Sequence, residues 1–218
     1  MPELRQLRAF GVFTALSALA ALLVSASEEV SRGRIEQNQD RRLRMRLSEV
    51  LASAGVNGDI NPVKINLERS ALLGTTDGGE AYIAFRDDEA VAVVLPAIAQ
   101  DGYNGPIHLL VGIDLAAQSI RSVRTVSHRE TPGLGDVIEH SKSNWIAQFN
   151  NRSLNDPEPP GWDVRQRGGA FDAATGATVT PAAVIKAVES TLLYFEANND
   201  ALLESGRDAY SQASRTLR

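Results

Sequence analysis

The run from Asp172 to Thr178 carries the side chains that are best placed for chemistry on a phosphate group. It reads Asp-Ala-Ala-Thr-Gly-Ala-Thr, and Pro181 follows after two further residues. Proline suits the first position of a helix, and the residues after it repeat at the spacing of a buried helix face. Free N–H groups and the positive end of the helix dipole meet at such a start, so anions bind there. The sequence therefore predicts a threonine hydroxyl beside an anion site.

The residues around Thr178 leave two roles open for its hydroxyl. Gly176 and Ala177 keep the preceding loop free of bulky side chains, so that a ligand can approach the backbone. A threonine near a helix start often caps the helix instead. Thr180 lies directly before Pro181 and is the better capping candidate, which leaves Thr178 available for another role.

A second block runs from His128 to Asp136 and reads His-Arg-Glu-Thr-Pro-Gly-Leu-Gly-Asp. Taken alone, a proline and two glycines in so short a run predict only a turn. Together with the first run, however, the block resembles the motifs of the FMN-binding domain family that includes RnfG (also RsxG) and NqrC. The part from Glu130 to Gly135 is similar to the family's Glu-Thr-Pro-Gly-Leu-Gly loop.

In that family the first motif is Asp, two variable residues, Ser or Thr, Gly, Ala and a Thr that carries FMN through a phosphoester. Matched position by position, the resemblance makes Thr178 the flavinylated residue and Asp172 the leading acid. Thr175 replaces the commoner Ser and keeps the hydroxyl. The resemblance extends from about the N-terminal apolar segment to the end of the helix after Thr178.

The resemblance implies that FMN is held covalently and that the second loop lies against the flavin. Leu134 would cover the face of the ring, and the two flanking glycines would let backbone N–H groups approach it. Asp172 either assists the transfer of flavin or holds the turn through an Asx-type hydrogen bond. Trp145 either stacks on the flavin or fills the core. The implied cofactor-binding residues are Glu130, Thr131, Gly133, Leu134, Gly135, Thr175, Gly176 and Ala177.

The resemblance implies that attachment of FMN requires a second protein. A threonine hydroxyl is a poor nucleophile without a base or metal, and Asp172 is the one candidate for activation near Thr178 in the sequence. The resemblance implies a separate Mg-dependent flavin transferase that moves FMN from FAD to this oxygen. We therefore expect no catalytic residue and no resident metal in the chain itself.

Composition excludes several other kinds of redox centre. The sequence has no cysteine, which rules out thiolate-held iron–sulfur clusters, disulfides and cysteine-based zinc sites. Its three histidines form no close pair of metal ligands. An electron carrier of this composition depends on an organic cofactor. The net charge of −5 argues against general nucleic-acid binding, which needs a basic face.

The N-terminal region contains one strongly apolar segment. From Ala9 to Ser27 no residue is charged, and a helix of that length spans about 28 Å, close to the thickness of a bilayer's hydrocarbon core. A cleaved signal peptide is the alternative, because small residues follow Val24. The resemblance implies a retained single-pass anchor in a bacterial inner membrane, with the N-terminus cytoplasmic and the FMN domain periplasmic. The arginines that follow the segment do not favour this orientation by themselves.

We expect an α+β fold, with helices packed on an antiparallel sheet after the transmembrane helix. Two hairpins are predicted, from Ala81 to Leu95 and from Pro106 to Val126, followed by a short strand from Trp162 to Arg167. The chain after Glu204 is polar and is predicted to fray. The predicted parts are a cytoplasmic segment (1–8), the anchor (9–27), a connecting helix (28–55), the FMN-binding domain (56–200) and a polar tail (201–218).

The function implied is an electron-transfer subunit of an ion-translocating, Rnf-type membrane complex, with the other subunits and the flavin transferase as partners. Two alternatives stay open. One is an NqrC-like subunit of a Na⁺-translocating NADH:quinone oxidoreductase, although such chains are typically longer. The other is a cofactor-free, membrane-anchored scaffold whose motifs are only turns. A soluble flavin reductase is disfavoured by the apolar N-terminal segment.

Overall fold

The computed structural model describes Ser17, Asn38 and residues 41–52, 61–173 and 177–216. The chain divides into two compact units, Met1–Arg44 and Met45–Arg218. In the first unit, Ser17, Asn38 and residues 41–44 are helical. Apart from Ser17, the predicted anchor lies outside the described residues. Within the described part of the chain, no helix combines the length and the apolar character needed to cross a membrane.

An antiparallel sheet of five strands forms the centre of the second unit, and its strands follow one another in chain order. Both predicted hairpins are confirmed. The turn of the first hairpin is closed by Asp87 and Asp88, whose positive φ angles of 48° and 64° suit a two-residue hairpin loop. The first strand was not predicted from the sequence. The strands are β1 (Asn61–Leu67), β2 (Gly79–Arg86), β3 (Glu89–Ala99), β4 (Ile107–Asp114) and β5 (Ser119–Ser127).

Helix α1 covers residues 45–52 of this unit and packs on one face of the sheet. Val50 is buried there, and a Cβ added to Gly112 of β4 would lie 2.4 Å from Val50 Cγ1. The absence of a side chain at Gly112 therefore allows α1 to pack closely against β4. At the same place Glu49 accepts a hydrogen bond from Arg124 Nε of β5 at 3.2 Å.

Helix α2 (Val179–Thr216) has 38 residues and contributes to the main hydrophobic core with the sheet. The prediction that the chain frays after Glu204 is wrong. Leu202 is buried, a Cβ on Gly206 would lie 2.4 Å from Ile83 Cδ1, and Tyr210 stacks on Phe85 with ring centroids 4.3 Å apart. These three helix residues lie four apart and share one face. The helix therefore continues past the predicted boundary at residue 200.

In the described part of the chain, three short 3-10 helices follow the sheet, at Gly135–Ile138, Trp145–Phe149 and Arg165–Arg167. The prediction of a strand from Trp162 to Arg167 is wrong, because within the described chain this segment pairs through one parallel bridge, between Val164 and Phe171. The alternation of buried Trp162 and Val164 resembles a strand, but the backbone turns over the third 3-10 helix and Gly168, whose φ is 91°.

Candidate functional site

The two sequence motifs meet at one cavity of about 310 Å³, near the lower end of the size range of small-molecule sites. One wall is the loop after β5, and another is the start of α2. The loop between β3 and β4 contributes a third side. The lining residues are Tyr103, Glu130, Thr131, Leu134, Gly135, Ala177, Thr178, Val179 and Thr180.

The loop after β5 is a tight turn that exposes one leucine. The N–H groups of Leu134 and Gly135 both donate to the carbonyl oxygen of Thr131, at 3.1 and 3.0 Å. Gly133 has φ of 78°, and its N–H donates to Asp136 Oδ1 at 2.7 Å. The N–H groups of both glycines are thus used within the loop. The loop presents the half-exposed side chain of Leu134 instead.

Glu130 is buried at the base of the same loop with only 5% of its surface exposed. Its Oε1 accepts a hydrogen bond from the backbone N–H of Asn104 at 3.0 Å, and its Oε2 accepts one from the Thr180 hydroxyl at 2.6 Å. Its own N–H donates to His128 Nδ1 at 3.0 Å. Because that ring nitrogen accepts, the proton of a neutral His128 lies on Nε2, which is 2.9 Å from Glu139 Oε1.

Thr178 stands at the first residue outside α2, and its carbonyl oxygen accepts the helix's first hydrogen bond, from Ala182 N at 3.1 Å. It is exposed, and its hydroxyl makes no hydrogen bond to any residue that the structure describes. The prediction that Thr180 caps the helix is wrong. Thr180 lies inside the first turn, buried, with its hydroxyl on Glu130. Pro181 is accordingly the third helical residue rather than the first.

Asp172 lies apart from the cavity lining, and its backbone is held on both sides. Its N–H donates to Gln148 Oε1 at 2.8 Å, and its carbonyl oxygen accepts from Trp145 Nε1 at 2.5 Å. Its carboxylate is largely exposed and pairs with Arg165 Nε at 2.9 Å. An Asx-type hydrogen bond from its side chain would go to residue 174. Residues 174–176, which include the predicted Thr175 and Gly176, lie outside the described residues.

Trp145 belongs to the core rather than to the cavity. Only 8% of its surface is exposed, and its ring meets Phe149 edge to face at 5.6 Å and 82°. It is absent from the cavity lining. Of the two roles that the sequence left open, the structure supports core packing. Trp145 also holds the backbone of Asp172 through its indole hydrogen bond.

Tyr103, Asn104 and Val179 are site residues that the sequence analysis missed. Tyr103 is 70% exposed and Val179 43%, so together with Leu134 they give the cavity an apolar rim. Asn104 adds a side-chain hydrogen bond to Thr131 Oγ1 at 3.1 Å. The loop between β3 and β4 carries no motif, and only the folded sheet brings it beside residues far along the chain.

The residues present fit a flat ring that carries a phosphate. Exposed apolar groups surround the cavity mouth, where a ring can be covered on one side. The start of α2 supplies N–H groups and the positive end of a long helix dipole at Thr178. Among the described residues, no cluster of His, Asp or Glu side chains suits a metal ion.

Comparison with known proteins gives matches over the same region. The FMN-binding domain family matches residues 102–193, a span that contains every lining residue of the cavity. The G subunit of the ion-translocating oxidoreductase complex of Pseudomonas aeruginosa strain UCBPP-PA14 is 41% identical over 181 residues, covering 83% of this chain and 84% of the relative. The protein of the same name from Shewanella piezotolerans is 36% identical over 196 residues, covering 89% and 92%.

A solved structure shares the fold. The crystal structure of Shewanella oneidensis NqrC superposes with a TM-score of 0.51 and covers 70% of this chain and 92% of that one. Its sequence identity to this chain is 19%, so the likeness concerns the fold alone. The expected α+β class, with an antiparallel sheet and a packed helix, is confirmed.

Proposed function

Because this chain belongs to the family of G subunits of ion-translocating oxidoreductase complexes, we propose that its cavity holds FMN joined to the Thr178 hydroxyl by a phosphoester. The family membership and the FMN-binding domain together make the chain an electron-transfer subunit of a redox complex. Bound flavin supplies the redox chemistry, and the chain supplies its position and surroundings.

The observation that carries this proposal is the position of Thr178. Thr178 is exposed and lines the same cavity as the Glu130–Gly135 loop. The two motifs resemble those of one family, and they lie well apart in the sequence. Their convergence on one cavity is expected if both serve the same cofactor.

Each part of the site has a task toward the cofactor. The first N–H groups of α2 and the helix dipole favour the negative phosphate at Thr178. Leu134, Val179 and Tyr103 offer apolar and aromatic surface to the ring. The cavity is partly open to solvent, which suits the passage of electrons to a partner. A phosphoester keeps the flavin in such an open site, where non-covalent binding alone would allow loss.

The exposed side chain of Asp172, at the start of the motif that ends at Thr178, fits attachment of FMN by a separate flavin transferase. The Asp172 carboxylate points to solvent and has one partner in the described structure, the equally exposed Arg165. A weak surface ion pair of this kind is readily exchanged for another cation. We propose that Asp172 serves the transfer step by orienting the loop or the transferase's Mg²⁺, while Trp145 and Gln148 hold its backbone.

The names of the relatives imply association with a membrane complex. We propose that residues 9–27 are a retained single-pass anchor, that residues 1–8 are cytoplasmic, and that the flavin domain lies on the periplasmic side, where it contacts other subunits. The relatives from Pseudomonas and Shewanella favour this assignment over an NqrC-like subunit. The FMN-binding family match argues against a cofactor-free scaffold.

The test is mass spectrometry of the protein from its native membrane. We expect the intact mass to exceed that of the chain by one FMN, less one water, and we expect the modified peptide to carry it on Thr178. Thr178→Val should remove the added mass and the flavin fluorescence of the denatured band. The control is Thr76→Val, which changes an exposed threonine that is not part of the cavity lining and should leave both unchanged. FMN on Thr175, or no flavin at all, would overturn the proposal.

A further inference from the structure

One buried carboxylate joins the three segments that wall the cavity. Glu130 belongs to the loop after β5, and it binds the N–H of Asn104 between β3 and β4 and the hydroxyl of Thr180 in α2. We propose that Glu130 is a positioning residue, which acts on the flavin site through Thr180 and Asn104 and not by touching the flavin. This inference rests on the proposed function.

Each polar group of the Glu130 side chain and its N–H already has a partner within the chain, and only 5% of the residue is exposed. Each carboxylate oxygen accepts one hydrogen bond from the chain, and the N–H donates to His128. The side chain is also confined by Gly135, where an added Cβ would lie 2.6 Å from Oε2 and 2.8 Å from Cβ of Glu130. Gly135 therefore leaves the space that the Glu130 side chain occupies. This contact, and not a positive φ, is the reason that a residue without a side chain is needed there.

The hydrogen bond between Glu130 and Thr180 also fixes the position of Thr178. Thr180 lies in the first turn of α2, two residues after Thr178, and both partners of its 2.6 Å hydrogen bond are buried. A helix start that depends on backbone bonds alone frays readily. Here the first turn of α2 is fixed to the loop after β5, so the Thr178 hydroxyl and the first N–H groups of α2 are held in place relative to that loop.

Asn104 extends the same connection to the third side of the cavity. Its N–H is held by Glu130 and its side-chain amide by the Thr131 hydroxyl, at 3.1 Å. The neighbouring Tyr103 is the most exposed of the large apolar residues at the rim. An exposed tyrosine keeps a defined place beside the cavity because the next residue is bound twice.

The experiment compares two threonines of α2 in the full-length protein. Thr180→Val removes the hydroxyl that binds Glu130, and Thr180→Ser keeps it. Thr191→Val is the matched control, because it removes a buried hydroxyl that donates only to the Ala187 carbonyl of the same helix, at 2.7 Å. Amide hydrogen exchange is measured on the apo proteins over residues 177–184 and 131–135. Fluorescence anisotropy of the flavin and the initial rate of flavinylation are measured with purified transferase.

We expect Thr180→Val to speed exchange in both segments by about tenfold, the effect of losing one hydrogen bond to a charged group. Its flavinylation should be slower, and the attached flavin should have lower anisotropy. Thr180→Ser should match the wild type, and Thr191→Val should change overall stability without these local effects. If Thr180→Val does not fold, Glu130→Gln replaces the charged acceptor with a neutral one of the same shape and should show the same pattern to a smaller degree.

Equal exchange in Thr180→Val and Thr191→Val would overturn the positioning role, whatever the flavin content. A wild-type protein that takes up no flavin at Thr178 would overturn the proposed function instead, and the exchange data on apo protein would still decide whether Glu130 fixes the start of α2.

Discussion

The indole N–H of Trp145 donates a hydrogen bond to the backbone carbonyl of Asp172, the first residue of the loop that ends at Thr178. The ring itself packs among Phe149 and its aromatic neighbours. The loop therefore starts from a fixed point in the core. This arrangement separates two possible roles of Trp145, because a core tether and a flavin-stacking residue respond differently to the same substitution.

Trp145→Phe keeps an aromatic ring and removes the hydrogen-bond donor. We expect a loss of about 1–3 kcal/mol in the free energy of unfolding, because the Asp172 carbonyl loses a partner and the smaller ring leaves a void. Flavin attachment at Thr178 should be slower. The fluorescence yield of attached flavin should stay the same, because Trp145 does not line the cavity and its indole should not contact the flavin ring. A marked rise in that yield would show that Trp145 quenches the flavin by stacking.

Gly135 and Gly133 should respond differently to an added methyl group. At Gly135 the new Cβ would meet Glu130 at 2.6 Å, so Gly135→Ala should cost about 1–3 kcal/mol and disturb the flavin spectrum through Glu130. At Gly133 the space is open, but φ is 78°, so Gly133→Ala should cost about 1 kcal/mol and change the spectrum little. Urea unfolding and absorption spectra of the attached flavin measure both effects. Equal spectra in the two variants would contradict the close contact at Gly135.

Leu134 should influence the redox potential of the flavin. Its half-exposed side chain lies at the cavity rim, where it excludes water from one side of a bound ring. An apolar cover disfavours the negatively charged reduced form, so Leu134→Ala should raise the midpoint potential, by an amount on the order of tens of millivolts. The control is Leu72→Ala, which shortens a similarly exposed leucine outside this cavity. Spectroelectrochemistry measures both. An unchanged potential in Leu134→Ala would mean that the leucine does not cover the ring.

The sequence predicted those parts of the fold that depend on local pattern. Alternating strands around Asp87 and Asp88 and the apolar face after Pro181 are local signals, and the hairpin and the helix followed from them. The two motifs also indicated residues that share a cavity. The last turns of α2 were missed because Leu202, Gly206 and Tyr210 are too few and too varied in size to register as an apolar stripe.

Other features depend on contacts between distant segments and left no local signal. Thr180 looked like a helix cap because Pro181 suits a first helical position, but the buried Glu130 carboxylate provides a stronger partner for its hydroxyl. Tyr103 and Asn104 have no motif around them, and the pairing of β3 with β4 alone brings them to the site. The sequence does not show that the N–H groups of Gly133 and Gly135 form hydrogen bonds within their own turn.

Tyr210 should give the protein a pH-dependent stability in the alkaline range. Its hydrogen bond to Asp88 raises the pKa of the Tyr210 hydroxyl, and burial adds to the effect. A pKa that is higher in the folded state than its unfolded value of about 10 contributes stability below that pH, and this contribution is lost as pH rises through the folded value. Tyr210→Phe keeps the ring on Phe85 and should weaken this dependence. Unfolding measured against pH, with Tyr103→Phe as the control, tests it.

The uncharged stretch from Ala9 to Ser27 should remain in the mature protein and hold it in the membrane. We expect full-length protein to stay in the membrane fraction after a high-salt wash, because its apolar length matches the hydrocarbon core and does not depend on charge. A variant lacking residues 9–27 should be released. N-terminal sequencing that begins at Ser27 would instead show a cleaved signal peptide.

The side of the membrane on which the flavin domain lies can be tested at the exposed loop of residues 155–161. Protease added to spheroplasts should cut this loop if the flavin domain is periplasmic. Cleavage only after lysis would place the domain, and the flavin at Thr178, on the cytoplasmic side.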